Sequence, residues 1–193
     1  ANLKRLMEGL PATDIAGFTA QVVEIEAVPV AYVEGACSKD EAEIARTLAA
    51  SYGEVTKFLT ARKIAPTGAP ITITTRWDDS GYAFEAALPV AAIPETPPAA
   101  DARVRFKQTY AGPALKVVHR GAYRDMPAMY EKLDAWAAIQ GFAPNGPPWE
   151  EYATDPGSTP EADLLTNVYL PVGSGGSARR RGPDGQELSA PAG

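Results

Sequence analysis

APTGAP, residues 65–70, is followed by ALPV at 87–90, and APNGPP, residues 143–148, is followed by YLPV at 169–172. One turn and one strand ending are thus written twice. Ahead of the first turn, Ile44, Leu48, Tyr52, Val55 and Leu59 recur at helical spacing. Ahead of the second, Met129, Leu133, Trp136 and Ala137 do the same, predicting a helix from about Met126 to Gln140. After the first turn come ITITTRW and YAFEAALPV, joined by the hairpin signal DDSG. After the second come WEEYAT and LTNVYLPV, joined by the longer DPGSTPEADL. Before the helices stand the β-rich runs FTAQVVEIEAVPVAYVEG and VRFKQTYAGPALKVVHRG.

Each half therefore reads strand, helix, turn, strand, hairpin, strand. Gly35 corresponds to Gly121, Phe58 to Trp136, Pro66 to Pro144, Gly68 to Gly146 and Pro89 to Pro171. The expected fold is α+β: two pseudo-symmetric βαββ repeats form one antiparallel sheet, with the helices on one side and a cleft between the repeats. Repeat one spans 18–92, a Pro/Ala linker 93–102 and repeat two 103–172. Residues 1–17 read as the end of a helix and a linker continuing from an upstream domain. The low-complexity stretch 173–193 is expected to be disordered. Ser38 is the expected N-cap of the first helix, Gly53 a point where it bends or divides, and Pro29 an edge or bulge.

The 193 residues carry a net charge of −6, which lacks the basic stripe a nucleic-acid surface requires. No apolar run approaches the ~18 residues of a membrane span. One cysteine, Cys37, excludes an internal disulfide, and one histidine, His119, leaves a zinc site short of nitrogen and sulfur ligands. His119 reads as a satisfied strand residue. No cofactor or metal is expected.

The segments VAYVEG, VVHRGAY, APNGPPWEEY and LTNVYLPV give the chain, from Phe18 to Val172, a resemblance to the GyrI-like small-molecule-binding domains, the effector-binding domains of AraC- and MerR-type multidrug regulators of bacteria. The resemblance implies a cleft for flat, apolar, often cationic compounds. It also implies an acidic residue four positions before the proline of the PV ending. That position is Glu85 in the first half and Asn167 in the second, so the second half departs from the pattern.

Alternation places Glu85 with Ala83 and Ala87, opposite Phe84, Ala86 and Leu88. Asn167 shares a side with Tyr169. Trp149 shares one with Glu151, and Glu150 shares the other with Tyr152. A carboxylate beside an aromatic ring suits a cation. Glu85, Trp149, Glu151, Tyr152, Asn167, Tyr169, Tyr32, Tyr123 and Trp136 are therefore the expected ligand-binding residues. Trp77 and Tyr82 are further aromatic candidates, and Trp136 also fits the core.

The functional expectation is a binding domain for an apolar or cationic small molecule, within a regulator or hydrophobe-handling protein. It does not bind nucleic acid itself. Two alternatives stand: a hydrolase of the cyclopropane-opening kind that the resemblance includes, and a protein-interaction module. The starting NLKRLME is similar to the final helix of START-like lipid-binding domains, which implies such a domain upstream. The cytoplasm is the favoured compartment; an upstream signal or anchor would make it the periplasm.

Overall fold

The computed structural model describes residues 13–96, 98 and 102–173. The expected N-terminal helix end, part of the linker and the tail lie outside the described residues. In chain order the elements are β1 (Gln21–Ile25), β2 (Pro29–Cys37), α1 (Glu41–Ala61), β3 (Ile71–Asp78), β4 (Gly81–Pro89), β5 (Arg105–Gln108), β6 (Gly112–Arg120), α2 (Met126–Gln140), β7 (Trp149–Tyr152) and β8 (Leu165–Pro171). Short 3-10 turns, Tyr123–Asp125 and Glu161–Asp163, precede α2 and β8.

The eight strands form one antiparallel sheet in the order β1-β6-β8-β7-β3-β4-β2-β5. The order reads alike from both ends, with β3 and β7 at the centre. Equivalent contacts recur across that centre. Pro66 bridges Val90, and Pro144 bridges Val172. The amide of Thr67 donates to Pro89 O, and that of Asn145 to Pro171 O. Thr74 N donates to Pro148 O, and Tyr152 N to Pro70 O. The doubled turns thus perform the same task twice: each pins its strand ending beside the helix exit. The flanking strands are exchanged. β1, which the sequence places in the first half, pairs with β6, and β5 pairs with β2.

Chain length forces the sheet to curl. β1 and β2 stand first and seventh in the order, yet only residues 26–28 join them. In a flat sheet they would be about 29 Å apart at the usual strand spacing. The joining peptide reaches no further than about 14 Å. Residues 109–111 make the mirror-image link from β5 to β6. The two links meet: Thr109 N donates to Val28 O, and Val28 N donates to Thr109 Oγ1, both at 2.9 Å. The sheet is therefore open but curled, and these crossing links close one end of the curl.

Three clusters fill the molecule. Under α1, Val55 and Leu59 pack on Ala31, Val33, Phe84, Ala86 and Leu88. Under α2, Met129, Leu133 and Ala137 pack on Leu115, Val117, Val168 and Leu170. Both helices lie on the outer face, as the alternation predicts. The third cluster lies inside the curl, where Val30, Ala87 and Ala114 are wholly inaccessible. An ordinary solvent face would leave these positions wet, so the inner face is a second core.

Local details correct two expectations. Asp40, not Ser38, caps α1: its side chain accepts from Glu43 N at 2.9 Å. Ser38 instead donates to the Glu43 carboxylate. The helix also runs unbroken through Gly53. α2 stops at Gly141, whose φ of 79° is the left-handed value that glycine adopts freely.

Candidate functional site

The alternation of β2, β4, β7 and β8 sends six of the expected residues into the curl: Tyr32, Glu85, Trp149, Glu151, Asn167 and Tyr169. Trp149 and Tyr169 are paired across the β7–β8 ladder and their rings stack, 4.8 Å apart at 11°. Such cross-strand aromatic pairs both fill volume and stiffen the sheet. Tyr110, from the β5–β6 link, tilts over Trp149 at 5.9 Å and donates its hydroxyl to Pro113 O.

These rings border a hollow of about 200 Å³, also lined by Ile71, Ile73, Val28, Lys107, Glu26 and Glu151. A dry cavity of about 150 Å³ accommodates benzene, so this one suits a ligand of one ring with a small substituent. Trp149, Glu151 and Tyr169 line it directly. Tyr110, Ile71, Ile73 and the closing link Glu26–Val28 were not foreseen, because only the curl brings them to the same place.

The two expected carboxylates differ in their surroundings. Glu85 is ion-paired with Lys107, and its side chain is only 12% exposed. Lys107 and Arg105 also lie over the Tyr32 ring, at 4.9 and 5.2 Å. Burial is the main cause that raises the Tyr32 hydroxyl pKa, with Arg105 opposing it. The positive charges that Glu85 and Tyr32 could hold are thus already supplied by the chain. Glu151 accepts from Asn167 Nδ2 at 2.7 Å and has no ion pair among the described residues. Asn167 and Glu151 face each other across the ladder. The carboxylate absent at Asn167 is therefore present one strand away, beside the stacked rings.

Tyr152 and Tyr123 lie on the outer face instead. Tyr152, Glu150 and Thr72 face the groove between the helices, where Tyr52 of α1 and Tyr130 of α2 reach them. The Tyr123 ring meets Tyr152 at 5.5 Å. Trp136 enters neither place. It stacks on Phe142 beyond the end of α2, at 6.0 Å and 10°, beside the core under that helix. Trp77, on β3, is 47% exposed and packs on Tyr82 at 5.3 Å. His119 Nε2 lies 3.1 Å from Ala122 O, and the lone Cys37 is half-buried.

A curled antiparallel sheet backed by two helices, with a hollow lined by aromatic side chains, defines a small-molecule-binding α+β domain. A sequence model of the GyrI-like small molecule binding domain matches residues 18–173, and the chain belongs to that family. No curated protein matches it. Among solved structures, the EcmrR–DNA complex is similar with a TM-score of 0.68 at 19% identity, over 80% of this chain. This chain spans 57% of the EcmrR chain in that complex. It spans 97% of the EcmrR C-terminal domain, with a TM-score of 0.65 at 17% identity over 80% of this chain. A hydrolase from Listeria innocua gives a TM-score of 0.55 at 13% identity, covering 89% of this chain and 98% of its own. SAV2435 bound to tetraphenylphosphonium gives 0.54 at 10% identity, covering 81% and 95%. At these identities the likeness is one of fold. Among the described residues, no helix is long and apolar enough to cross a membrane.

Proposed function

We propose that this domain captures a compact aromatic cation inside the curl, with the ring against Trp149 and the positive end toward Glu151. The observation that carries the reading is the pairing of a stacked aromatic wall with a carboxylate that has no ion pair among the described residues, around one hollow. Apolar walls supply affinity and the charge supplies selectivity. SAV2435 holds tetraphenylphosphonium, a cation of four rings. A hollow of about 200 Å³ cannot hold four rings without opening, so the ligand here is smaller. Binding is the input; a regulatory output would come from another segment or partner.

Thermal stabilisation by benzyltrimethylammonium and by its uncharged carbon isostere, neopentylbenzene, tests this reading. Each should stabilise, and the cation more at equal concentration. A hundredfold excess over Kd adds about 2.7 kcal/mol. Recovery of both compounds unaltered supports binding; chemical conversion would favour the hydrolase alternative. No stabilisation by either compound would remove the curl as a ligand site.

A further inference from the structure

The mouth of the curl lies beside the root of a segment that the proposed binding does not use. Val172 N donates to Pro113 O at 3.0 Å, and Tyr110 donates its hydroxyl to the same oxygen at 3.0 Å. Gly173, the next residue, donates to Ala143 O. The chain therefore leaves β8 one residue beyond a carbonyl shared with Tyr110, whose ring borders the hollow. From there the sequence runs SGGSA over 174–178 and then Arg179, Arg180 and Arg181. Arg179 stands six residues after Gly173, within a reach of about 20 Å.

The rim nearest this root is acidic. Glu26 borders the hollow with Ile25, Val28, Tyr110 and Pro147. Glu24 lies opposite Pro113 in the β1–β6 ladder. Neither has an ion pair among the described residues. One hydrogen bond to Pro113, one ladder step of ~5 Å and two strand residues of ~3.4 Å each lead from Val172 to Glu26. That path, about 15 Å, is shorter than the reach of the arginines. A guanidinium is flat, binds a carboxylate through two parallel N–H bonds and stacks on aromatic rings. The rim offers both partners, in Glu26 and Tyr110.

We propose that the arginine run 179–181 of this chain docks on that rim, with one guanidinium between Glu26 and the Tyr110 ring and a neighbour on Glu24, and covers the hollow until a ligand displaces it. This control of binding rests on the reading of the curl as the ligand site. Glu151 keeps its bond from Asn167 and is left for the ligand. A tether this short holds the run at roughly millimolar effective concentration. A contact with an intrinsic Kd of about 0.1 mM would then cover roughly nine-tenths of the molecules and weaken ligand binding about tenfold.

The test compares the full chain with the triple variant Arg179→Ala, Arg180→Ala, Arg181→Ala. In the ligand-free wild type, nuclear Overhauser contacts should join the arginine side chains to the Tyr110 ring, and saturating benzyltrimethylammonium should erase them. The triple variant should bind both benzyltrimethylammonium and uncharged neopentylbenzene about tenfold more tightly. Glu26→Gln should tighten neopentylbenzene in the same direction. Absence of the arginine–Tyr110 contacts, or equal affinities in wild type and triple variant, would overturn the proposal. So would a gain confined to the cation, which is the mark of net charge alone. Contacts that fade on dilution would assign the arginines to a second copy and overturn the docking within one chain. The two readings fail separately: contacts without any ligand binding would sink the curl as a ligand site, and ligand binding without contacts would sink the docked run.

Discussion

Glu150 and Glu151 are consecutive on β7, yet their carboxylates serve opposite faces of the sheet. Glu150 accepts from Tyr130 and Tyr152 beneath the helices, and Glu151 accepts from Asn167 inside the curl. Strand alternation alone separates them. A single-residue slip in register would exchange the two surroundings, so the β7–β8 pairing decides which carboxylate faces the curl.

The buried carboxyl should tune stability with pH. Its folded pKa is raised, so the folded state holds the proton more tightly than the unfolded chain. Glu150 therefore favours folding at pH values below the ordinary glutamate range, and this contribution is lost as pH rises through the raised value. Glu150→Gln should remove that dependence. At pH 7, without ligand, it should leave the protein as stable or about 1 kcal/mol more stable. Chemical denaturation of both forms across pH 4–8 checks this.

The Asn167–Glu151 pair gives a sharper test of where the charge must be. Asn167→Asp places two carboxylates at one hydrogen-bond contact, where one of them must hold a proton. That variant should be less stable at pH 7 and recover on acidification. The double variant Asn167→Glu with Glu151→Gln returns the carboxylate to β8. It should keep binding of benzyltrimethylammonium within about threefold, because opposing residues of the ladder lie only ~5 Å apart. Calorimetric titration of the single and double variants reads the difference.

Gly35 shows how closely the outer core is fitted. A Cβ there would lie 2.4 Å from the Phe84 ring, which is itself only 1% exposed. Gly35→Ala should cost about 1–3 kcal/mol through overpacking. Its sequence counterpart, Gly121, has open space around it but a φ of 123°, so there the requirement is conformational. Melting temperatures of both alanine variants should fall, for these two different reasons.

Trp149 is 9% exposed and holds the inner rings in place. Trp149→Ala should destabilise by about 3 kcal/mol. Trp149→Phe keeps a ring and should retain most of that stability while weakening ligand binding. Denaturant unfolding followed by calorimetric titration separates the two effects.

Periodicity made the strands and both helices legible, and it sorted Phe84, Ala86 and Leu88 to the helix side. It also grouped Glu85, Asn167 and Tyr169 correctly on the other. What it could not show is that the second face curls. That follows from two three-residue links between strands distant in the sheet order, and pairing is not written in a local pattern. Lys107 and Tyr110 remained unseen for this reason, as did the neutralisation of Glu85. The WEEY alternation did place Glu150 beside Tyr152, but the further tyrosines come from two different helices. Superposing residues 28–90 on 114–172 would test whether the matched turns reflect one duplicated unit; a close fit of strands and helices is expected.

In the function proposed above, Glu151 and the stacked Trp149 select a compact aromatic cation inside the curl. The most direct measurement is the calorimetric affinity of benzyltrimethylammonium for the wild-type chain, Glu151→Gln and Glu150→Gln. Glu151→Gln should bind about tenfold more weakly, a loss of ~1.4 kcal/mol, with Glu150→Gln unchanged. Unchanged affinity in Glu151→Gln, or a loss in Glu150→Gln instead, would contradict it.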